Sequence, residues 1–433
     1  MHLVWENLLP NLVSLWTGEF KGLELNNEPF VIEKTVWEAI GTACKASGQT
    51  IPSAFGAAVP NIATEAALFT AETWSLFAQH LGPIILRRSF RREHFYAHFI
   101  ELIRLLNICL QFEITSAEIL DVEAGFIDWV REYEQLYYQH KAEYLSMCPL
   151  TVHALLHVVP SMRATGPVWA SWEFPMERFC GTLLPAVKSR RFPYASLSNY
   201  ATELAQMKQI SLIYNLEDVL SLRTRAPQEE ITQYANHGYL KAILLAPKRM
   251  GSITTQRRNQ IIKCLATRYD GHAATIRRLL PTELEQWGKV RISGGGDTMN
   301  AAELVRVGEG HRDASYVRYT QQTDRLAHRR NLPPDFRTED FYGRLLAIYV
   351  VPMKPSLDLG TQTDEILLLA AIQSLKIVRV PNIDIPFYKY EGNIEVVDLN
   401  TIQCVVGRAK QPQGGWWGII DRSGPLAEAV FVD

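Results

Sequence analysis

The chain has 433 residues, with 47% hydrophobic and 21% charged side chains and a formal net charge of −2. These values are typical of a globular protein with two or three domains, and they exclude binding to nucleic acid through a global positive charge. Six widely spaced cysteines with no CxxC pair argue against a zinc ribbon or a disulfide framework and indicate a reducing compartment.

Residues 1–220 are predicted to be almost entirely helical. The first helix covers residues 1–16, where Leu8, Leu12, Leu15 and Trp16 recur at helical spacing. A loop rich in Pro and Gly is predicted at 49–61, and a capping-box pattern at Ser116 predicts a helix start. Further helices are predicted within residues 28–47, 63–86, 94–112, 115–144, 149–164, 171–184 and 196–216. The helix within 63–86 is expected to stop at Gly82-Pro83.

The second half of the chain is predicted to change from helix to strand. Residues 221–290 are expected to be a mixed helical extension with helices near 227–246, 256–266 and 273–288, and the polar residues 291–340 a linker. From residue 341 to 433 short β-type runs are separated by turn residues: YGRLLAIYVV, EILLLAAI, LKIVRV, IEVVDLNTIQCVVGRA, GWWGIID and AVFVD. We therefore predict an α+β chain, with a large helical region at 1–220 and a small all-β domain of about six strands at 341–433.

The sequence shows neither a targeting pattern nor a membrane pattern. Trp5, Glu6 and Asn7 interrupt the first apolar run, and no basic leader precedes it. No uninterrupted apolar run approaches the roughly 20 residues that a membrane-spanning helix requires. We therefore expect a soluble intracellular protein with no membrane partner.

Two basic clusters are candidate nucleic-acid contacts. They are RRSFRR and KSRR, with the cations Arg87, Arg88, Arg91, Arg92, Lys188, Arg190 and Arg191. Guanidinium groups match the geometry of phosphate, so contact with the DNA backbone is one interpretation. A solvated protein surface is the alternative that the pattern leaves open.

Glu177 is a candidate metal ligand. It lies on a short predicted helix among Met176, Phe179, Cys180 and Leu183, which form an apolar stripe, and the KSRR cluster follows it. A carboxylate at the edge of a buried stripe and beside cations can hold a divalent metal against a phosphodiester. The alternative is a carboxylate that projects into solvent.

Two histidine pairs and one glycine run are weaker candidate sites. His94 and His98, with Glu101 one turn on, and His153 and His157 have the i, i+4 spacing that can bind a metal. No HExxH pattern is present, so packed or surface histidines are the competing interpretation. The SGGGD run at 293–297 lacks the GK[ST] of a phosphate loop and is predicted to be a turn.

Two stretches resemble the Tnp2-type transposases of CACTA-like (En/Spm) DNA transposons, and the fungal members in particular. That family shows an H-x-x-x-H helix, a G-P turn, a P-[FM]-E-[RN]-[FY]-x-G-x-L-[KL] helix and a basic run. Residues 148–193 carry His153, His157, Gly166-Pro167, the run PMERFCGTLL and the KSRR cluster in that order. The opening MHLVWENLLPNLVSLWTGEF resembles the family's D-x-M-H segment, where His2 matches the histidine. The resemblance covers about residues 1–210, and the tail from 341 is similar to the β domain that trails many fungal members.

The resemblance implies an RNase H-like core in which two Asp and one Glu hold two divalent ions, Mg²⁺ or Mn²⁺, for DNA cleavage and strand transfer. Glu177 matches the Glu, and a large helical insertion separates it from the second Asp. The two Asp residues have no counterpart here, and we expect them to lie before Met1 in a missing N-terminal transposase domain. The chain is then a truncated fragment of which most of the core sheet is missing.

On this interpretation the chain derives from a transposase for DNA transposition, is nuclear and contacts transposon ends through its basic clusters. It is catalytically incomplete, because one carboxylate cannot assemble a two-metal site. Two alternatives stay open: a non-catalytic scaffold, domesticated or relic, that binds DNA or protein, and a metal hydrolase that uses His94, His98 and Glu101. If residues 1–16 pack on a missing sheet, their apolar stripe is expected to be uncovered and prone to association.

Overall fold

The computed structural model describes residues 2–216, 233–294, 296–308, 311–326, 328, 333–380 and 383–422. The chain is α+β, with helices and a curled antiparallel sheet. Two compact units are distinguished: one consists of residues 2–159 and 231–433, and the other of residues 160–230.

The helices of residues 1–216 lie in the segments that the periodicity predicts, and two more lie between residues 255 and 279. Their bounds are α1 (Leu9–Thr17), α2 (Lys34–Ser47), α3 (Ala71–Leu76), α4 (Gly82–Ile85), α5 (Glu93–Cys109), α6 (Ser116–Tyr133), α7 (Leu150–His153), α8 (Val158–Thr165), α9 (Phe174–Leu183), α10 (Pro193–Ile213), α11 (Thr255–Tyr269) and α12 (Ala273–Leu279). Short π-helical turns, Val4–Leu8 and Phe77–Leu81, precede α1 and α4.

Several helix boundaries differ from the prediction, and two of them show the physical reason. The N-cap of α6 is Thr115, not Ser116: the Thr115 hydroxyl accepts from the Glu118 amide at 3.3 Å, and the Glu118 carboxylate accepts from the Thr115 amide at 2.8 Å. The helix expected to end at Gly82-Pro83 continues as α4 to Ile85, with Pro83 in the first turn of α4, a position where the fixed φ of proline is tolerated.

Helix α1 belongs to the core of its unit. Leu8, Leu12, Leu15 and Trp16 are each at most 1% exposed. The Trp16 indole donates a hydrogen bond to the Tyr137 hydroxyl at 3.1 Å. The apolar stripe is therefore covered by other helices of the same unit, and the uncovered stripe that we considered from the sequence is not found.

The strands form one antiparallel sheet that curls back on itself. They are β1 (Ala242–Ser252), β2 (Glu283–Ile292), β3 (Thr298–Asn300), β4 (Tyr316–Asp324), β5 (Phe336–Met353), β6 (Glu365–Val380), β7 (Ile383–Asp398), β8 (Ile402–Val405), β9 (Gly407–Lys410) and β10 (Trp417–Ile420). The order is β1-β2-β5-β6-β7-β10-β9, and β4 pairs with both β5 and β8. Only Val406 separates β8 from β9, so the pairing path returns to β4.

Several predictions between residues 221 and 340 are wrong. The helix expected at 227–246 is strand β1 from Ala242 onward, while residues 227–232 lie outside the described residues. The helix at 256–266 is confirmed as α11, but 273–288 is helical only in α12 and then enters β2. Leu284 and Trp287 are three residues apart, which fits one face of a helix and not the alternation of a strand, and pairing of β2 with β1, β3 and β5 selects the strand.

The segment 291–340 is also more ordered than a linker. It contains β3, β4 and the beginning of β5, so the prediction of a linker is wrong where these strands lie. Strands are confirmed in each expected run from 342 to 421, but their bounds differ in two places. EILLLAAI and LKIVRV form the single strand β6, whereas IEVVDLNTIQCVVGRA is divided among the end of β7, β8 and β9. The run AVFVD lies outside the described residues, and the domain boundaries at 220, 290 and 340 stay predictions.

Two apolar clusters hold the sheet. The first lies between α11, α12 and the strands β5 and β6, and includes Ile261, Leu265, Leu280, Tyr349 and Leu369. The second lies inside the curl and includes Tyr316, Tyr342, Leu375, Tyr388, Val406 and Ile419.

The helices of residues 2–159 pack on the same sheet. A Cβ on Gly418 would lie 2.5 Å from Ile84 Cγ1, so only glycine allows α4 to approach β10 this closely. The Gln411 side chain donates to the Ile84 carbonyl oxygen at 3.1 Å. These contacts fix the end of α4 against the sheet, and the RRSFRR cluster follows directly after it.

Candidate nucleic-acid interface

The RRSFRR cluster forms an exposed turn between α4 and α5, which we call the arginine turn (residues 86–92). Leu86 and Phe90 are buried and hold the turn in place. Arg88 takes a left-handed conformation with φ of 65°, and its side chain is exposed. Arg91 and Arg92 are also exposed. The buried residues therefore fix a short loop that presents three guanidinium groups to solvent.

Arg87 is oriented differently from its neighbours. Its guanidinium carbon lies 4.9 Å from the centroid of the Phe387 ring, and its side chain is half-buried. Phe387 is on β7, where it pairs with Val378 of β6 and Gly418 of β10. This cation–π contact attaches the arginine turn to the sheet.

The sheet carries further cations on the two strands that pair at Phe387. Lys389 lies two residues after Phe387 in β7, and Lys376 lies two residues before its partner Val378 in β6. Both lysines are exposed. The sequence offered no signal for these two residues, because nothing local shows that β6 and β7 lie beside residue 87.

Carboxylates reduce the positive charge of this surface without cancelling it. Glu33 lies 3.6 Å from the Arg91 guanidinium, and both side chains are more than half exposed. Such an exposed pair contributes little to stability, so Arg91 stays available to an anion of higher charge density. Glu93, in the first turn of α5, directly follows the arginine turn in the sequence.

The KSRR cluster lies in the unit of residues 160–230, between a 3-10 turn, Leu184–Ala186, and α10. Lys188, Arg190 and Arg191 are all exposed. The Arg191 guanidinium carbon lies 5.3 Å from the centroid of the neighbouring Phe192 ring. This cluster is therefore a solvated loop with charges accessible to a ligand.

Glu177 lies in the first turn of α9, and its side chain is exposed. The expected apolar stripe around it is not buried, since Met176 is 57% exposed and Phe179 is 52% exposed. The expectation of a carboxylate at the edge of a buried stripe is therefore wrong, because the stripe on α9 stays exposed among the described residues.

His2 is exposed and contacts the Glu6 carboxylate one helical turn on. It belongs to the unit of residues 2–159 and 231–433, whereas Glu177 belongs to the unit of residues 160–230. The surroundings of His2 and of Glu177 are therefore described separately, each within its own unit.

The first histidine pair does not converge on a common point. His98 is buried, its Nε2 donates to the Trp129 carbonyl oxygen at 3.1 Å, and its ring stacks on Trp129 at 4.3 Å. Burial lowers the pKa of His98 to about 4. Glu101 instead accepts two hydrogen bonds from Arg104 Nε and one from Nη2. This arrangement favours a packed core histidine over a metal ligand.

The second histidine pair is exposed, with 3.1 Å between the Nε2 atoms of His153 and His157. Over the residues that the structure describes, no group of three or more His, Cys, Asp or Glu side chains is placed to hold a metal. The glycine run forms a turn at residues 293–294, and Asp297 accepts from the Val405 amide at 3.1 Å. Asp297 therefore has a structural role between β2 and β8.

Comparisons with known proteins do not assign the chain to a family. No protein-family model matches the chain. No curated protein matches it either. Among the described helices, none combines the length and the apolar character needed to cross a bilayer.

Proposed function

We propose that this chain is a DNA-binding polypeptide related to the Tnp2-type transposases of CACTA-like transposons. The observation that carries the proposal is the arginine turn, in which a buried framework presents Arg88, Arg91 and Arg92 to solvent. Guanidinium groups at fixed positions suit the phosphates of a DNA backbone, and they position a protein without reading sequence. A nuclear location and transposon ends as the DNA partner are part of this proposal.

The RNase H-like assignment rests on the motifs of residues 148–193. The exposed Met176 and Phe179 on α9 support it, since a helix with such a face is suited to packing against a sheet. In this proposal, α9 and the preceding helices belong to the helical insertion and the C-terminal end of such a core.

The metal that the resemblance implies does not fit the described residues. A two-ion site needs several carboxylates around one point, whereas Glu177 is the one family ligand with a counterpart here and is exposed. The described residues contain no ligand group of the required size. We therefore propose that the 433 residues bind no Mg²⁺ or Mn²⁺ productively and do not cleave DNA by themselves.

A binding titration tests the DNA proposal. Fluorescence anisotropy of a labelled duplex would compare the intact chain with a variant carrying Arg88→Ala, Arg91→Ala and Arg92→Ala. We expect the variant to bind more weakly at every sequence, with the slope of log K against log salt reduced by about 2.7, which corresponds to three lost phosphate contacts.

A matched control removes three exposed cations from other helices. Arg131 of α6, Lys263 of α11 and Arg277 of α12 are suitable, because each is exposed and none lies in the arginine turn. If this control lowers the affinity and the salt slope as much as the first variant, the arginine turn is not the interface. If the intact chain binds no duplex at all, the DNA proposal is wrong.

A protein-binding scaffold is the second candidate function. Helix α10 exposes large apolar side chains on and after its second half: Leu204, Met207, Ile210, Leu212, Ile213 and Tyr214. Such a surface is typical of protein contact. Failure of DNA binding, together with self-association that Ile210→Glu and Ile213→Glu abolish, would favour this candidate.

A further inference from the structure

A cavity of about 240 Å³ lies beside the loop that follows β3. Its polar lining comes from Asn300, Arg306, Ser315 and Arg344, with small apolar side chains between them. The volume is well above the roughly 10–15 Å³ that one water needs and below the ~300–1,000 Å³ of pockets for drug-sized ligands. It therefore suits a small ligand, or one functional group of a larger molecule.

Arg344 is held in a fixed orientation at the wall of this cavity. It lies on β5 between two strands, opposite Tyr316 of β4 and Gln373 of β6. Its Nε donates to the Ser315 hydroxyl at 3.2 Å, and its guanidinium carbon lies 5.7 Å from the centroid of the Tyr316 ring. Among the described residues, the hydrogen bond of Arg344 involves Nε, which leaves both terminal nitrogens for a ligand.

The neighbouring carboxylate is already engaged. Asp313 accepts from the Ser315 hydroxyl at 2.6 Å and from Arg408 Nη2 at 3.2 Å. The described lining of the cavity contains the guanidinium groups of Arg306 and Arg344 and no carboxylate. Arg344 is half-buried, and a cation that has lost part of its hydration is stabilised by an anion.

We propose that this cavity binds a phosphoryl group through Arg306, Arg344 and the side-chain amide of Asn300. A guanidinium group presents parallel N–H donors, and two such groups match the several oxygens of a phosphate better than they match the two oxygens of a carboxylate. The strand position of Arg344 and its two anchors reduce the ordering that binding requires. The phosphoryl group is either inorganic phosphate or a phosphate of a nucleic acid.

Calorimetric titration of the full chain with inorganic phosphate tests this site. We expect Arg306→Ala and Arg344→Gln each to weaken phosphate binding at least about tenfold, the size of one lost charge-assisted contact. Arg337→Gln is the matched control, because Arg337 lies on the same strand, is exposed and pairs with Asp335. If Arg344→Gln fails to fold, Arg306→Ala decides, since Arg306 is an exposed loop residue.

The proposal is overturned if phosphate does not bind, if all variants bind it alike, or if acetate binds as tightly as phosphate. Short duplexes with a 5′-phosphate or a 5′-hydroxyl are then tested as competitors of inorganic phosphate, which assigns the source of the phosphoryl group. Equal competition by both supports a backbone phosphodiester, competition by the first alone supports a terminal phosphate, and competition by neither supports inorganic phosphate. Because the titration uses phosphate without DNA, its result is independent of the DNA proposal for the arginine turn.

Discussion

The buried His98 makes the helical region sensitive to acid, and substitution by glutamine is expected to remove the part of that sensitivity that His98 contributes. His98 is 2% exposed, stacks on Trp129 and donates to the Trp129 carbonyl oxygen. Protonation places a charge among the aromatic rings of Trp129, Tyr133 and Tyr137. Glutamine keeps a donor for the carbonyl and does not titrate in this range.

The size of the effect follows from the pKa. Burial lowers the pKa of His98 to about 4 in the folded protein, whereas an unfolded histidine has a pKa of about 6.5. Between these values the unfolded chain binds the proton and the folded chain does not, so stability falls as pH falls. From pH 7 to pH 5 the free energy of unfolding therefore decreases by about 2 kcal/mol through this residue, and the decrease levels off below pH 4.

Urea denaturation followed by circular dichroism at 222 nm measures this difference at pH 7 and pH 5. The experiment compares the pH-dependent change in the free energy of unfolding of each protein, so a cost of the substitution that does not depend on pH cancels. His80, whose pKa is lowered in the same direction, is present in both proteins and cancels as well. If His98→Gln loses as much stability between pH 7 and pH 5 as the intact chain, the burial argument for His98 is refuted.

Three further predictions concern local structure and catalysis. Thr115→Ala removes the capping box of α6 and is expected to lower the free energy of unfolding by about 1 kcal/mol, measured in urea. Gly343→Ala places a Cβ 2.3 Å from Ile372 Cγ2 and 2.8 Å from the Gln373 carbonyl oxygen, so we expect a loss of about 1–3 kcal/mol in the same assay. Neither the intact chain nor Glu177→Ala is expected to nick supercoiled DNA with Mg²⁺ or Mn²⁺; nicking that Glu177→Ala abolishes would show that the chain is catalytic.

The chain offers matched controls for the two stability predictions. Ser116→Ala changes the residue next to the cap, which makes no capping hydrogen bond, and should cost much less than Thr115→Ala. Gly181→Ala lies in α9, where an added Cβ meets nothing within 4 Å, and should be neutral or slightly stabilising. Equal costs within either pair would contradict the geometric reasoning.

Helices were predictable wherever the signal is local. The apolar spacing of residues 8–16 and the Thr-x-x-Glu pattern before α6 lie within a few turns of the structure they specify. Strands β1, β2, β3 and β4 were missed, because a strand is selected by its neighbours. The run Glu283–Ile292 fits a helix or a strand when taken alone, and pairing with β1, β3 and β5 decides between them.

The features of the candidate sites can also be divided into those that the sequence determines and those that the tertiary structure determines. The amino-acid sequence by itself determines the order of the motifs of residues 148–193, the positions of the arginines and the segments that form most helices of residues 1–216, since these depend on neighbouring residues alone. Only the tertiary structure decides that Arg87 rests on Phe387, that His98 is enclosed by aromatic rings, and that Arg306 and Arg344 face one cavity. Each of these contacts joins segments that are distant in sequence or that a curled sheet brings together, so no local pattern records it.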